Sequence, residues 1–372
     1  MPTANEKLLD RAINHAIDLG RYSNGVVRRI IATLNRFDAS LVEQIAQALL
    51  RMQADSFTVE RLNAMLESAR LINAEAYRVA YGQIPEAMRD LAGYEAVWQV
   101  DSLRAAFPTD ARALIAFNRV TAEQAYAAAF SRPFQGRLLR DWATSGEQGR
   151  MQEVRNVIRS GFMEGQTTDQ IVRRIRGTRA RQYRDGILDR SRRSVETMVR
   201  TALSHTAATA RDEVFKANGD VIKALTWVAT LDSRTSPFCR VRDGLRYTAD
   251  GAHRPIGHKV PWAQGPGRSH FGCRSVAAPV TKSFREMGLD IDEISPATRA
   301  SMDGQVPADL TYSQWLGRQS AARQDEILGP ERGRLIRAGG LAPEMLYSPR
   351  GDFLTLDQLR ARDASAFRKV GL

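Results

Sequence analysis

Apolar positions divide the chain into stretches of different period. From about residue 5 to residue 130 they recur every three or four residues. Leu8, Leu9, Ala12, Ile13 and Ala16 form one stripe, and Leu41, Ile45, Ala48, Leu49 and Met52 a second. Leu62, Met65, Leu66, Ala69, Ile72, Ala76 and Val79 form a third. This period predicts helix after helix, each burying one face. Breaks are expected where helix-breaking residues gather: Gly20, Asp38 to Ser40, Gly82 to Pro85, and Phe107-Pro108-Thr109. Thr58-Val59-Glu60-Arg61 and Thr109-Asp110 predict helix starts. The stripes read as core, and no chemistry is expected from this part of the chain.

Beyond residue 130, Pro133, Gly136, Gly146 and Gly149 predict a connection over 131–148. A short helix carrying Val154, Val157 and Ile158 should end at Gly161 and Gly165. A second, capped by Thr168, carries Ile171, Val172 and Ile175 and ends at Gly177. A long helix is predicted from about Arg190 to Asn218 on the stripe Val195, Met198, Val199, Ala202, Leu203, Thr206, Ala210 and Val214. Asn218-Gly219 stops it. The period then changes. Val221 to Leu231, with Ile222, Leu225, Trp227 and Val228, predicts a strand. Residues 232–272 are rich in Gly, Pro, His and Arg and predict loops, with a hairpin turn at Asp243-Gly244. Ser275 to Val280 predicts a closing strand. Helices return from Thr311 to about Leu328, from Glu331 to Ala338 and from Thr355 to Arg362. The fold class is therefore α+β and predominantly helical. We divide it into a helical docking region (1–130), a basic α+β module with a loop-rich half (131–280) and a helical tail (281–372).

Charge sharpens this division. Residues 1–130 hold 14 basic and 15 acidic side chains, residues 131–200 hold 16 and 8, and residues 201–372 hold 24 and 19. The densest stretch contains Arg173, Arg174, Arg176, Arg179, Arg181, Arg184, Arg190, Arg192 and Arg193 against Asp185 and Asp189. Such a surface suits phosphate, with affinity from counterion release. An acidic protein surface or a solvated helix face are the alternatives. Arginine is favoured throughout, 48 against 6 lysines, but the neutral first 130 residues make the clustering local. No run of about 18 apolar residues predicts a membrane span, and Met1 to Lys7 has no secretory pattern, so a cytoplasmic origin is expected. Two cysteines in 372 residues make no disulfide framework.

Those cysteines carry the candidate chemistry. One closes Asp232-Ser233-Arg234-Thr235-Ser236-Pro237-Phe238-Cys239, and the other lies in His270-Phe271-Gly272-Cys273-Arg274. Cys239, His270 and Cys273 are candidate ligands of a zinc ion that staples the loops, with Asp232, His253, His258 or water as the fourth. Two other readings stay open: buried reduced thiols packed as small hydrophobes, or a disulfide. Asp232 and Arg234 also suit a buried ion pair. As an active site the set is incomplete. His270 and Cys273 stand three apart, which suits ligation better than attack, and no HExxH, P-loop or nucleophile elbow is present. No Asn follows Asn218, so the usual HNH nuclease motif cannot be completed. His15 and His205 lie on helices and are expected to be structural. We therefore expect no enzyme. The alternatives are a metal-dependent nuclease or a cysteine-dependent hydrolase acting as DNA enters the cell, and a soluble DNA-binding regulator.

From Arg200 to Val280 the chain resembles the Mu F-like minor head proteins of tailed phages, the head-morphogenesis family. The residues that carry the resemblance are Arg200-Thr201, His205, Arg211, Trp227, Asp232, Arg234-Thr235, Cys239, Asp243-Gly244, His270, Cys273 and Arg274. In the tail Tyr312, Trp315-Leu316, Gln319, Gln324-Asp325, Leu328-Gly329, Arg332 and Leu335 are similar to the segment that often follows this domain. The resemblance covers roughly residues 150–340. It implies a virion component of low copy number, associated with the portal and other head proteins at the capsid interior. It also implies action in head assembly, and contact with packaged DNA or a part in its ejection. Many relatives carry a further cysteine three residues before Cys239, completing a four-ligand zinc pattern; here that position is Ser236.

Overall fold

The computed structural model describes residues 3–52, 58–289, 298–301, 304–307 and 310–372. The fold is a predominantly helical α+β one. Among the described residues, nine helices lead: α1 (Ala4–Leu50), α2 (Val59–Met65), α3 (Glu67–Gly82), α4 (Ile84–Ala106), α5 (Thr109–Leu114), α6 (Ala122–Phe130), α7 (Leu139–Met163), α8 (Thr168–Arg176) and α9 (Ile187–Ala217). Then come β1 (Ile222–Val228), the single turn α10 (Pro237–Arg240), β2 (Arg246–Thr248), β3 (Pro255–Ile256) and β4 (Val276–Thr281). A hairpin of β5 (Thr298–Ser301) and β6 (Gly304–Pro307) precedes α11 (Tyr312–Gly317), α12 (Ala321–Leu328), α13 (Pro330–Arg337), α14 (Leu356–Arg362) and α15 (Ala364–Lys369).

The chain packs as two compact units that are interleaved in sequence. One takes residues 1–19, 93–125 and 207–372, the other residues 20–92 and 126–206. Charge changes at about residue 130, but α1, α4 and α9 each supply residues to both units.

The all-helical unit is held by apolar stripes. Leu41, Ile45 and Leu49 of α1 join Leu62, Leu66, Val154, Ile158, Ile171, Ile175 and Ile187 in one core. Two expected breaks are absent, because α1 runs unbroken through Gly20 and through Asp38 to Ser40. Asp38 is buried inside this helix, where its carboxylate accepts from Arg150 and, at 2.9 Å, from Nε of Arg192. The partners lie 112 and 154 residues away and neutralise a charge that local sequence reads as a helix end. The expected connection over 131–148 is also mostly helix, since α7 begins at Leu139 and includes Gly146, Gly149 and Gly161. Gly161 marks a close approach rather than a stop: a Cβ there would fall 2.5 Å from Cγ1 of Ile171. The cap of α8 is Thr167, one residue before the expected Thr168, and its hydroxyl accepts from Gln170 N at 3.3 Å. Thr58 caps α2 as expected, accepting from Arg61 N at 3.1 Å. His205 is buried here and bonded to Ala129 O at 3.1 Å.

The other unit holds a four-stranded antiparallel sheet in the order β3-β2-β1-β4. Leu225 of the central β1 faces Tyr247 on one side and Pro279 on the other. Pro279 is tolerated because β4 is an edge strand and needs no outward N–H. Every residue of β4 is buried. On one face Ala277 joins Leu225, Trp227, Tyr247, Trp262 and Phe284 in the core. On the other, Val276 and Ala278 pack with Val228 against Leu9, Ala12, Ile13 and Ala16 of α1. Burial on both faces explains the continuous apolar run of this strand. His15 is buried in the same unit, bonded to Glu95 at 2.6 Å and stacked on Trp98. The long helix ends one residue before the expected Asn218, whose side chain donates to Val214 O and Asn118 O. The tail forms its own core around Trp315, Leu316, Leu328, Leu335 and Leu346, which Leu231 joins.

Candidate metal centre

Three side chains converge in the loop-rich half of the sheet unit. The chain leaves β1 at Val228 and turns through 229–236, where the Thr235 hydroxyl donates to Thr230 O. Ser236 then caps α10 with Pro237 in its first turn, and this turn presents Cys239 inward at 2% exposure. A second loop brings His270 and Cys273 back before β4. Cys239 Sγ lies 3.3 Å from His270 Nε2 and 3.7 Å from Cys273 Sγ. The two sulfurs are not bonded. The three candidate ligand atoms all lie within 4.8 Å of one another.

The two separations from Cys239 are close to what a metal would need. Tetrahedral zinc, with Zn–S near 2.3 Å and Zn–N near 2.0 Å, implies S···S edges of about 3.8 Å and S···N edges of about 3.6 Å. His270 Nδ1 faces Phe271 O at 3.0 Å, which orients the ring and leaves Nε2 toward the sulfurs. Cys273 Sγ accepts from Gly267 N at 3.3 Å. Ser236 Oγ lies 2.9 Å from the same Nε2, beside the three ligands, and accepts from Cys239 N at 3.3 Å.

The three groups shift one another's ionisation. The hydrogen bond from Cys239 holds the Cys273 thiol well below its usual range despite burial, and His270 adds to this. The same hydrogen bond, with burial, pushes Cys239 up. The His270 ring is raised, chiefly by its hydrogen bond with Cys273.

The other candidate ligands lie elsewhere. Arg274 donates to both Asp232 oxygens, at 2.5 and 2.8 Å. Burial pushes the Asp232 carboxyl up, but Arg274 outweighs this and holds it below its usual range. The expected pair with Arg234 is present but long, 3.8 Å, with the Arg234 side chain exposed rather than buried, and Arg274 is the closer partner at 2.5 Å. His253 stacks on Trp262 and His258 bonds to Arg246 O at 2.8 Å, so neither joins the group. Asp243 is more than the expected turn residue. Its two oxygens accept from Ala229 N at 2.7 Å and Tyr312 N at 2.8 Å, tying β1 to the tail. Tyr312 OH donates to Asp232 O, and Arg240 donates to Ile327 O. Sequence patterns did not single out these ties, because each joins residues far apart in the chain.

The nine candidate arginines divide into two sets. Arg173 pairs with Asp169, Arg174 with Glu164, Arg190 with Glu153, Arg192 with Asp38 and Arg193 with Asp189. Arg176, Arg179, Arg181 and Arg184 are exposed at or within the turn between α8 and α9.

Fold and site together describe an α+β module in which the loops around a small sheet converge on a Cys/His cluster. Residues 152–278 match the family model described as "Phage Mu protein F like protein". Over that segment, about a third of its length, the chain is similar to phage Mu F-like head-morphogenesis proteins. No curated protein and no solved structure matches the chain. No helix among the described residues is long and apolar enough to cross a membrane.

Proposed function

We propose that this chain is a non-enzymatic minor head protein of low copy number. It sits at the portal vertex or the inner face of the head, acts in head assembly, and touches packaged DNA, with a part in its ejection. The observation that carries this reading is the family match over residues 152–278. The basic stretch within that segment supports the DNA contact. Cys239, His270 and Cys273 would hold a zinc ion, with Ser236 or a water completing the shell. Bound zinc would cross-link loops that regular structure leaves weakly tied.

A cysteine nucleophile is the competing reading, since both Ser236 and Cys239 face His270 Nε2. Its chemistry fits less well. Cys239 and Cys273 are each only 2% exposed, so neither sulfur is open to a substrate. DNA or ester turnover abolished by Cys239→Ala would reinstate it.

The deciding experiment is quantitative mass spectrometry of purified particles, comparing DNA-filled heads with DNA-free proheads. The chain should occur in both, far below the coat protein in abundance. Its confinement to the infected-cell lysate would overturn the proposal.

A further inference from the structure

The turn between α8 and α9 is closed and rigid. Thr178 donates from its amide and its hydroxyl to the two Asp185 oxygens, both at 2.8 Å. Tyr183 N returns to Thr178 O at 2.8 Å, and Gly177 N to Arg173 O at 2.7 Å. Gln182 and Tyr183 are consecutive non-glycine residues in left-handed backbone, with φ of 53° and 61°. A Cβ on Gly177 would lie 2.6 Å from Tyr183 O, and one on Gly186 would lie 2.5 Å from Gly177 N, so the two ends touch through glycine. Strained backbone of this kind persists only where surrounding bonds over-determine it.

This knot carries Arg176, Arg179, Arg181 and Arg184 outward. Asp185 is the only carboxylate between residues 170 and 188, and Thr178 occupies both its oxygens. None of the four arginines lies within ion-pair distance of a carboxylate among the described residues, whereas the other five of the cluster do; Arg181 reaches Asp185 only at longer range. Tyr183, 41% exposed, is the one large apolar side chain on the turn, and Arg176 lies over its ring at 5.8 Å. A protein-docking site would present an apolar centre. A rigid tip of guanidinium groups suits a regular row of phosphates instead.

We infer that the turn from Gly177 to Gly186 is a preformed contact for the phosphate backbone of double-stranded DNA, made by Arg176, Arg179, Arg181 and Arg184 without reading sequence. This rests on the proposed DNA contact and narrows it to four residues. The paired arginines hold the fold and leave the contact unchanged.

The test is fluorescence anisotropy of the full chain with mixed-sequence duplexes between 50 and 200 mM salt. Four engaged phosphates give a log–log salt slope of about −3.6, a loss of roughly a hundredfold in affinity across that range. The triple variant Arg179→Ala, Arg181→Ala, Arg184→Ala should lower the slope by about 2.7, and the matching triple Lys variant should keep it. Arg190→Ala with Arg193→Ala should leave it nearly unchanged. Circular dichroism checks that each variant is folded. An unaltered slope in the alanine triple, equal losses in the paired set, absence of DNA binding, or preference for a polyglutamate competitor would each overturn the inference. The particle measurement is independent: presence in heads with no DNA binding would sink this contact and leave the head protein standing.

Discussion

The two units solve the problem of cohesion differently. The helical unit buries long apolar stripes and admits one deeply placed carboxylate, Asp38, with arginines on either side. The sheet unit has strands of two to seven residues and a long excursion between β3 and β4. It gathers thiols and an imidazole at the point where the loops converge. The contrast teaches where each unit fails. Regular helices tolerate loss of a peripheral contact but not an orphaned buried charge, whereas short strands depend on cross-links between loops.

The sharpest way to break the comparison is at Asp38. Asp38→Ala would leave Arg150, whose side chain is fully buried, without its carboxylate. We expect a loss of about 3–5 kcal/mol in denaturant-unfolding free energy. A loss under about 1 kcal/mol, the range of an exposed pair, would show that the helical unit does not rely on this centre.

Zinc addresses the other unit. Metal in hundredfold excess over its dissociation constant should stabilise the chain by about 2.7 kcal/mol, and chelator should reverse the gain. His270→Ala should remove the response while keeping the helical signal. Equal melting of wild type and variant with and without zinc would reduce the cluster to packed thiols. Ser236→Cys sharpens the point. Ser236 Oγ already lies 2.9 Å from His270 Nε2, so a thiolate there supplies a fourth ligand. Zinc affinity should rise by about tenfold or more, since even outer-shell partners are worth 10–100-fold. Competition with a chromogenic chelator would measure it, and unchanged affinity would mean that the fourth position lies elsewhere.

These expectations also mark what was legible in the sequence. Period and turn residues located α9, β1, β4, α13 and α14 closely, because each depends on its own side chains, but they read α11 and α12 as one helix and missed α15. The Cys239, His270 and Cys273 group was legible because ligand chemistry restricts residue type. What escaped was non-local. Asp38 reads as a helix break until Arg150 and Arg192 arrive from far along the chain. Gly161 reads as a stop until Ile171 is seen against it. The arginine cluster looked uniform for the same reason. Arg173–Asp169 and Arg193–Asp189 follow helical spacing, but Arg190–Glu153 and Arg192–Asp38 do not.

The smallest expected effect lies at an exposed counterpart to Asp38. Glu286 accepts from Lys223 Nζ at 2.8 Å and from Ser283 N at 2.6 Å, and these bonds, Lys223 first, pull its carboxyl from 4.5 down to about 2. A carboxylate with a depressed folded-state pKa stabilises the fold above its unfolded pKa and loses that contribution as pH falls through the folded one. Lys223→Met should therefore differ slightly from wild type at pH 7. The difference should shrink between pH 4.5 and about 2, and it should also shrink in high salt because the pair is exposed. Unfolding curves across that range would measure it. If the gap instead persisted at 1 M salt and rivalled that of Asp38→Ala, burial would not be what separates the two pairs, and the contrast between the units would have to rest on the Cys/His cluster alone.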